Sequence, residues 1–291
     1  MCPRPRPPGQ RHSRSESISR PAAVGAPGLA AVRQTGRVDG FEPRLFYTGL
    51  VAQLYAPLRS MAPDPEPYAR FIATSGEPVL ELGCGTGDPL LDLRGRGLEV
   101  EGLDASADML ERCRSEAARR GIDVVLHHQP MESMDLGRRF RSIFLAGPTF
   151  NLLVDDDIAR RTLDRIGVHL HPQGSALIPL FLPVATPSEH LNRPREHTTL
   201  DGTVMRVTAI AEQRDELHRT QTTILWYELV AAGNVIVDER PWILHWHTQD
   251  EFRQLAAEAG LAVRAVLTAE ATPATANDQS FVFVLTNPAK S

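Results

Sequence analysis

The sequence predicts an α/β fold: a mostly parallel sheet with helices on both faces, interrupted by an antiparallel β insert. Three observations carry this. Short apolar strands alternate with amphipathic helical segments from Val79 to Leu182, the alternation stops after Pro183, where three longer strand-like runs follow, and it resumes near Phe252. Strands and helices in alternation argue for a parallel sheet, whereas consecutive strands joined by short turns argue for antiparallel pairing. At 291 residues the chain suits one α/β domain with an excursion better than a multi-domain scaffold.

Residues 1 to about 38 hold Pro3, Pro5, Pro7, Pro8 and Pro21 among scattered arginines, with almost no aromatic residue. Such a segment buries too little apolar surface to order itself and is expected to be a disordered tail. From Phe41 to about Ile72 the pattern becomes helical, with Leu50, Leu54 and Leu58 four apart and Val51 and Tyr55 beside them. The strand Val79 to Leu82 comes next, then a helix from about Asp88, the strand Glu99 to Leu103, and a helix with Met109, Leu110, Cys113 and Ala117 on one face. Strands at Val124 to Leu126 and Ser142 to Leu145 lead to a helix near Asp156 to Leu170 and the apolar strand Ala176 to Leu182. The insert is read as strands over Thr203 to Ala211, Thr222 to Val230 and Val235 to His245. A helix carrying Phe252, Leu255 and Ala256 stops at Gly260, and strands at Leu261 to Leu267 and Ser280 to Thr286 complete the pattern.

Composition removes several classes of function. A net charge of -5 gives no general attraction for nucleic acid or anionic membrane, and no apolar run is long enough to span a bilayer or to serve as a signal peptide. The cysteines, Cys2, Cys84 and Cys113, are odd in number without close pairing, which fits a reducing, cytoplasmic setting. The expected partner is a small molecule, with no nucleic acid and no membrane. The exposed edges of the insert allow a monomer or a homodimer.

The chemistry is carried by Pro78-Val79-Leu80-Glu81-Leu82-Gly83-Cys84-Gly85-Thr86-Gly87. Here an apolar strand bearing an acid runs into three alternate glycines and then a helix. Glycines at a strand-to-helix turn let a ligand approach without meeting a Cβ, and the helix start offers free N–H groups. Asp104, at the end of the next strand, is placed to accept hydrogen bonds from both ribose hydroxyls of a nucleoside. A dinucleotide fingerprint would have glycine at position 88, but Asp88 stands there and would set a carboxylate beside a pyrophosphate. Together with the lack of a Tyr-x-x-x-Lys pair, this disfavours a nicotinamide-dependent oxidoreductase.

The run from Glu81 to Gly87 resembles the first motif of class I S-adenosylmethionine-dependent methyltransferases, an E/D-x-G-x-G-x-G core matched by Glu81, Gly83, Gly85 and Gly87. The resemblance implies a Rossmann-like methyltransferase sheet and S-adenosyl-L-methionine as cofactor. It implies that the backbone around Gly83, Cys84 and Gly85 cradles the methionine part, that Asp104 holds the ribose, and that Ala105 and Met109 border the adenine. Where family members often have Gly-Asp-Met, this chain has Gln129-Pro130-Met131, leaving Met131 to face the ring and Glu132 or a backbone carbonyl to replace the missing acid. Ala146, after the fourth strand, lies where family members turn toward cofactor and substrate. The absence of Asn-Pro-Pro-Tyr or Asp-Pro-Pro-Tyr there points to the small-molecule branch, and the Ala-, Arg- and Pro-rich composition resembles actinobacterial proteins that decorate natural products, as in antibiotic biosynthesis. The expected organisation is the tail over 1–38, a helical lid and cofactor-binding core over 39–182, an antiparallel substrate cap over 183–247, and completion of the core over 248–291.

The implied reaction carries the methyl group to an oxygen, nitrogen or activated carbon of a small metabolite. Methyl transfer from a sulfonium depends mainly on positioning, so no universal catalytic residue is expected. Tyr47 and Tyr55 resemble aromatic residues of the amino-terminal helix in small-molecule N-methyltransferases and are candidates to cover the cofactor; the alternative is a half-buried core aromatic. Trp226, Trp242 and Trp246 all fall in the insert. Alternation along an extended strand puts Ile243, His245 and His247 on the face opposite Trp242, and either histidine is a candidate general base. His190 and His197 are weaker candidates. A metal reading of His-x-His lacks a third ligand, since only Asp250 lies near in sequence, and no metal is expected. The rival to an enzyme is a catalytically silent methyltransferase-like protein that binds a ligand or scaffolds a partner.

Overall fold

The computed structural model describes residues 32–35, 41–59 and 61–288. The expected tail therefore lies outside the described residues except for β1 (Val32–Thr35), which pairs in parallel with Ile236 to Glu239. This departs from the expectation of disorder over 1–38. The reason lies in the partner: the outer edge of an insert strand offers unpaired N–H and C=O groups that a passing chain can satisfy.

The lid is two helices, α1 (Gly49–Leu58) and α2 (Glu66–Ser75), where periodicity suggested one helical stretch. Pro63 and Pro65 fall between them and cannot continue a helix. The core then runs β2 (Val79–Leu82), α3 (Leu90–Gly95), β3 (Val100–Asp104), α4 (Ala107–Arg120), β4 (Leu126–His128), β5 (Phe140–Leu145), α5 (Asp156–His169) and β6 (Leu170–Phe181). The third core strand forms two residues later than Val124 to Leu126 because its register is set by β3, with Gly102 opposite Leu126.

The insert consists of β7 (Pro194–Thr198), β8 (Val204–Asp215), β9 (Thr220–Ala231) and β10 (Asn234–His245). The chain finishes with α6 (Gln249–Glu258), β11 (Ala262–Leu267) and β12 (Ser280–Thr286). Two sheets result. One has seven strands in the order β11-β12-β6-β5-β2-β3-β4, parallel except for β12, and the other has five in the order β1-β10-β9-β8-β7.

Strand β2 lies inside the larger sheet, between β3 and β5, with all four residues buried. The connections leave it in opposite directions on its two sides, and that reversal opens a crevice beyond its carboxyl end. The main core beneath is apolar: Leu80, Leu82, Phe140, Ile143, Leu163, Ile178, Phe252 and Phe283 are fully buried.

Helix α1 sits between the two sheets. Phe46, Leu50, Val51 and Leu54 pack on Val207, Tyr227 and Leu229 of the smaller sheet, while the amide of Gly49 donates to Asp108 of α4 at 2.6 Å. Asn151 makes a second joint. Its Nδ2 donates to the carbonyls of Phe181 (3.0 Å) and His245 (2.9 Å), and its Oδ1 accepts from the amide of Phe181 (3.2 Å). One buried amide thus ties the loop after β5 to the ends of β6 and β10.

Candidate functional site

The crevice beyond β2 is a cavity of about 410 Å³, within the range of small-molecule sites. One end is the glycine turn. Gly83 lines it at φ +69°, and a Cβ there would lie 2.7 Å from Cγ2 of Thr149, so only glycine both adopts this backbone and leaves the space open.

Asp104 forms the next wall. Its Oδ2 accepts from the amide of Gly85 and its Oδ1 from the amide of Ser106, both at 2.8 Å. Burial raises its pKa and these amides work against that rise. Each oxygen keeps a free lone pair, an acceptor pair matched to a vicinal diol.

The run Asp104-Ala105-Ser106-Ala107-Asp108 fixes three things in turn. Asp104 faces the cavity. Ser106 caps α4 by accepting from the amide of Met109 at 3.1 Å while its hydroxyl donates to the carbonyl of Tyr47 at 2.5 Å, and Asp108 holds Gly49. The start of α1, in the segment expected to form a lid, is thereby fastened directly over the acid that lines the cavity.

Of the residues singled out from sequence, Tyr47, Tyr55, Gly83, Gly85, Asp104, Ala105, Met109 and Met131 line this cavity. Tyr47 and Tyr55 meet edge to face, ring centroids 5.5 Å apart, and Trp242 lines the cavity with them. Burial raises the pKa of both phenols, so both stay protonated at neutral pH.

The others stand behind it. Glu81 is wholly buried beneath the turn, and among the described residues neither carboxylate oxygen has a hydrogen-bond partner at bonding distance. Burial, with Asp88 and Asp104 nearby, raises its pKa well above the carboxylate range. Cys84 is buried under the loop, and a Cβ at Gly87 would run into Cys113 and Leu91 on the far side. Gln129 does not face the cavity: its amide closes the 129–135 loop onto the backbone of Asp135, accepting at 2.7 Å and donating at 3.2 Å. Glu132 lines the cavity instead. Ala146 supports the lining from behind, accepting from the Thr149 hydroxyl at 3.3 Å.

His245 and His247 also fall outside the lining, which places them away from the general-base role expected of them. Both are buried at the seam between the two sheets and point to Asp156. The strand delivers Pro241, Trp242 and Ile243 to the cavity, and its twist carries the residues after Leu244 to another neighbour. His190 and His197 are exposed.

Sequence reasoning missed the far wall of the cavity: Leu152, Leu153, Val154 and Ile158 from the loop and helix after β5, with Arg161 beside them. The family likeness of Phe144 to Asn151 was a signal for this region, one turn too early.

Asp88, at the position that spoke against a dinucleotide, is held by Arg59 of the lid at 2.7 Å. A paired carboxylate occupies the place where a pyrophosphate would need glycine.

Residues 79–174 match the family described as a methyltransferase domain. Over that third of its length the chain is similar to the class I methyltransferases. That family's cofactor is S-adenosylmethionine, and the cavity fits its nucleoside: a glycine wall open to close approach, and an acid with two acceptors for a ribose.

The chain is 31% identical over 144 residues, 47% of its length and 55% of the relative's, to the dTDP-3-amino-3,6-dideoxy-alpha-D-glucopyranose N,N-dimethyltransferase of Streptomyces fradiae. It thus spans about half the length of that curated relative. To the cypemycin N-terminal methyltransferase of a Streptomyces species it is 26% identical, over 72% of its length and 83% of the relative's. The solved CcbJ methyltransferase of Streptomyces caelestis shares the fold with a TM-score of 0.68 at 24% identity, over 84% of this chain and 99% of that one. Among the described residues no helix is long and apolar enough to cross a membrane.

Proposed function

We propose that this methyltransferase moves the methyl group of S-adenosylmethionine to an amine nitrogen of a small metabolite, such as an amino sugar in natural-product biosynthesis. The reaction is read as cytoplasmic, with a monomer or homodimer as the acting unit. The observation that carries the reading is the make-up of the cavity. Its lining holds the acids Asp104, Glu42 and Glu132 and the arginines Arg44 and Arg161, with Arg44 paired to Glu42, and among the described residues no histidine or lysine.

A hydroxyl acceptor has to lose its proton as it attacks and calls for a positioned base, whereas an amine of ordinary basicity gives up its proton to water beforehand. The carboxylates of Asp104 and Glu132 in the lining, which form no salt bridge among the described residues, suit an ammonium form on its way in, and Arg161 suits an anionic group on the same molecule. The relatives named as N-methyltransferases of amino sugars and of a peptide amino terminus favour nitrogen as well.

When bound, the cofactor supplies an electrophilic methyl group on a sulfonium. The chain's own residues do the rest. Asp104 and the glycine turn bind and orient, Tyr47, Tyr55 and Trp242 exclude water, and the apolar wall from Leu152 to Ile158 holds the acceptor.

Isothermal titration with S-adenosylhomocysteine, set beside NAD, tests the cofactor half. Binding of the former alone, weakened by about 1–3 kcal/mol in Asp104→Ala, is expected. Incubation with labelled S-adenosylmethionine and matched sugar nucleotides bearing an amine or a hydroxyl at the same carbon tests the acceptor. Label on the amine compounds only is the expected result, and label on the hydroxyl compounds would refute nitrogen specificity.

A further inference from the structure

The seam between the two sheets holds a cluster of side chains that the methyl-transfer site does not use. Nε2 of His247 lies 3.0 Å and Nε2 of His245 3.4 Å from the same oxygen, Oδ1 of Asp156. One ligand atom from each residue falls within 4.8 Å of the other two. The sequence supplies the two histidines from the end of β10, and Asp156, at the start of α5, comes from far along the chain.

We infer that Asp156, His245 and His247 form a binding site for a divalent transition-metal ion of the zinc class, which pins the end of β10 to the first turn of α5. Two imidazoles and one carboxylate are a donor set suited to such an ion, with a fourth position left for water. Ligand atoms at about 2.0–2.1 Å from a tetrahedral centre stand about 3.3 Å apart, close to the two measured distances.

Three further features fit. Both rings are buried, at 2% exposure, whereas the Asp156 side chain is 53% exposed, so the ion has rigid ligands behind it and a way in from solvent. Neither Nδ1 has a hydrogen-bond partner among the described residues, so the Asp156 carboxylate alone holds the proton on Nε2, and an ion bound between them would move that proton to Nδ1. At His169, also buried, Nδ1 meets the carbonyl of Arg165 and Nε2 accepts from the amide of Leu136, which leaves no nitrogen for an ion. Finally, Arg219 binds the other oxygen of Asp156, Oδ2, and thereby turns Oδ1 toward the histidines. Its positive charge is paired with Asp156 and Glu251, and Asp155 adds a further negative charge nearby.

The ordinary alternative is a metal-free network in which the imidazoles donate to Asp156. The full chain, freed of metal with a chelator, is titrated with zinc chloride by calorimetry, and with cobalt(II) followed by its visible absorption. One ion per chain is expected, with a rise in melting temperature. Asp156→Asn and His247→Gln, which keep shape, are expected to weaken binding about 100-fold or more and to abolish the thermal shift. S-adenosylhomocysteine affinity reports that the variants are folded and is expected to be unchanged, since none of the three ligands lines the cavity. No saturable binding by the parent chain, or equal binding by parent and variants, would overturn the inference and leave the hydrogen-bonded network as the role of this cluster.

Discussion

Two carboxyl groups behave in opposite ways beside the glycine turn. Asp104 has its oxygens directed by two amides, while burial without a hydrogen-bond partner among the described residues pushes the pKa of Glu81 up. Because the folded-state pKa of Glu81 is raised, the unfolded chain holds fewer protons than the native one once pH passes the ordinary value of 4.5. Stability tied to this group is full below that value and falls as pH rises toward the raised pKa, by at most about 1.4 kcal/mol per pH unit. Melting curves from pH 5 to 9 are therefore expected to show the ligand-free parent losing ground to Glu81→Gln with rising pH; parallel curves would mean that Glu81 ionises freely in the fold. Gly83 yields a second expectation at this scale. Gly83→Ala combines φ +69° with a Cβ at 2.7 Å from Thr149. It should lower S-adenosylhomocysteine affinity at least tenfold with a stability loss of about 1–2 kcal/mol, read by calorimetry and thermal melting.

At the scale of elements, β10 does two jobs along its length. Its middle brings Trp242 into the cavity against Tyr47, and its end takes His245 and His247 to the seam. Trp242→Ala removes wall from the acceptor side while the glycine turn and Asp104 stay in place. The expected result is a KM for the amine substrate raised tenfold or more with S-adenosylhomocysteine affinity changed less than about threefold. Equal losses in both would place Trp242 over the cofactor. The loop after β5 is as closely fixed through Asn151, whose two donated bonds end on carbonyls. Asn151→Asp faces those carbonyls with lone pairs or a charge and is expected to cost about 3 kcal/mol or more in urea unfolding.

Over the whole molecule, the smaller sheet is attached to the core at separated points: α1 between the sheets, Asn151 at the strand ends, and the tip of the β8–β9 hairpin. At that tip Arg219 pairs with Asp156 and, at 3.1 Å, with Glu251, and its carbonyl accepts from the amide of Trp246. The acidic partners are half exposed, so Arg219→Ala should cost only about 1 kcal/mol overall. The local effect is larger: amide exchange in the hairpin tip and at the start of α6 is expected to quicken while the β2 core stays protected, and uniform quickening would show that the two sheets open as one unit.

The alternation of strand and helix, the antiparallel insert, the glycine turn and the acid of Asp104 were all legible in the sequence. They depend on periodicity and on residue types with narrow backbone or chemical uses, which act between near neighbours. Single-chain patterns could not reveal which of those neighbours would face the ligand. The amide of Gln129 turns inward to its own loop, Glu132 faces the cavity, and Leu152 to Ile158 make its far wall. The sharpest divergence is at His245 and His247: alternation correctly sets them on one face, but the packing of the two sheets turns that face toward Asp156 and away from the cavity. Local pattern determines which side of a strand a residue occupies, and only the docking of one sheet on another decides what lies opposite that side.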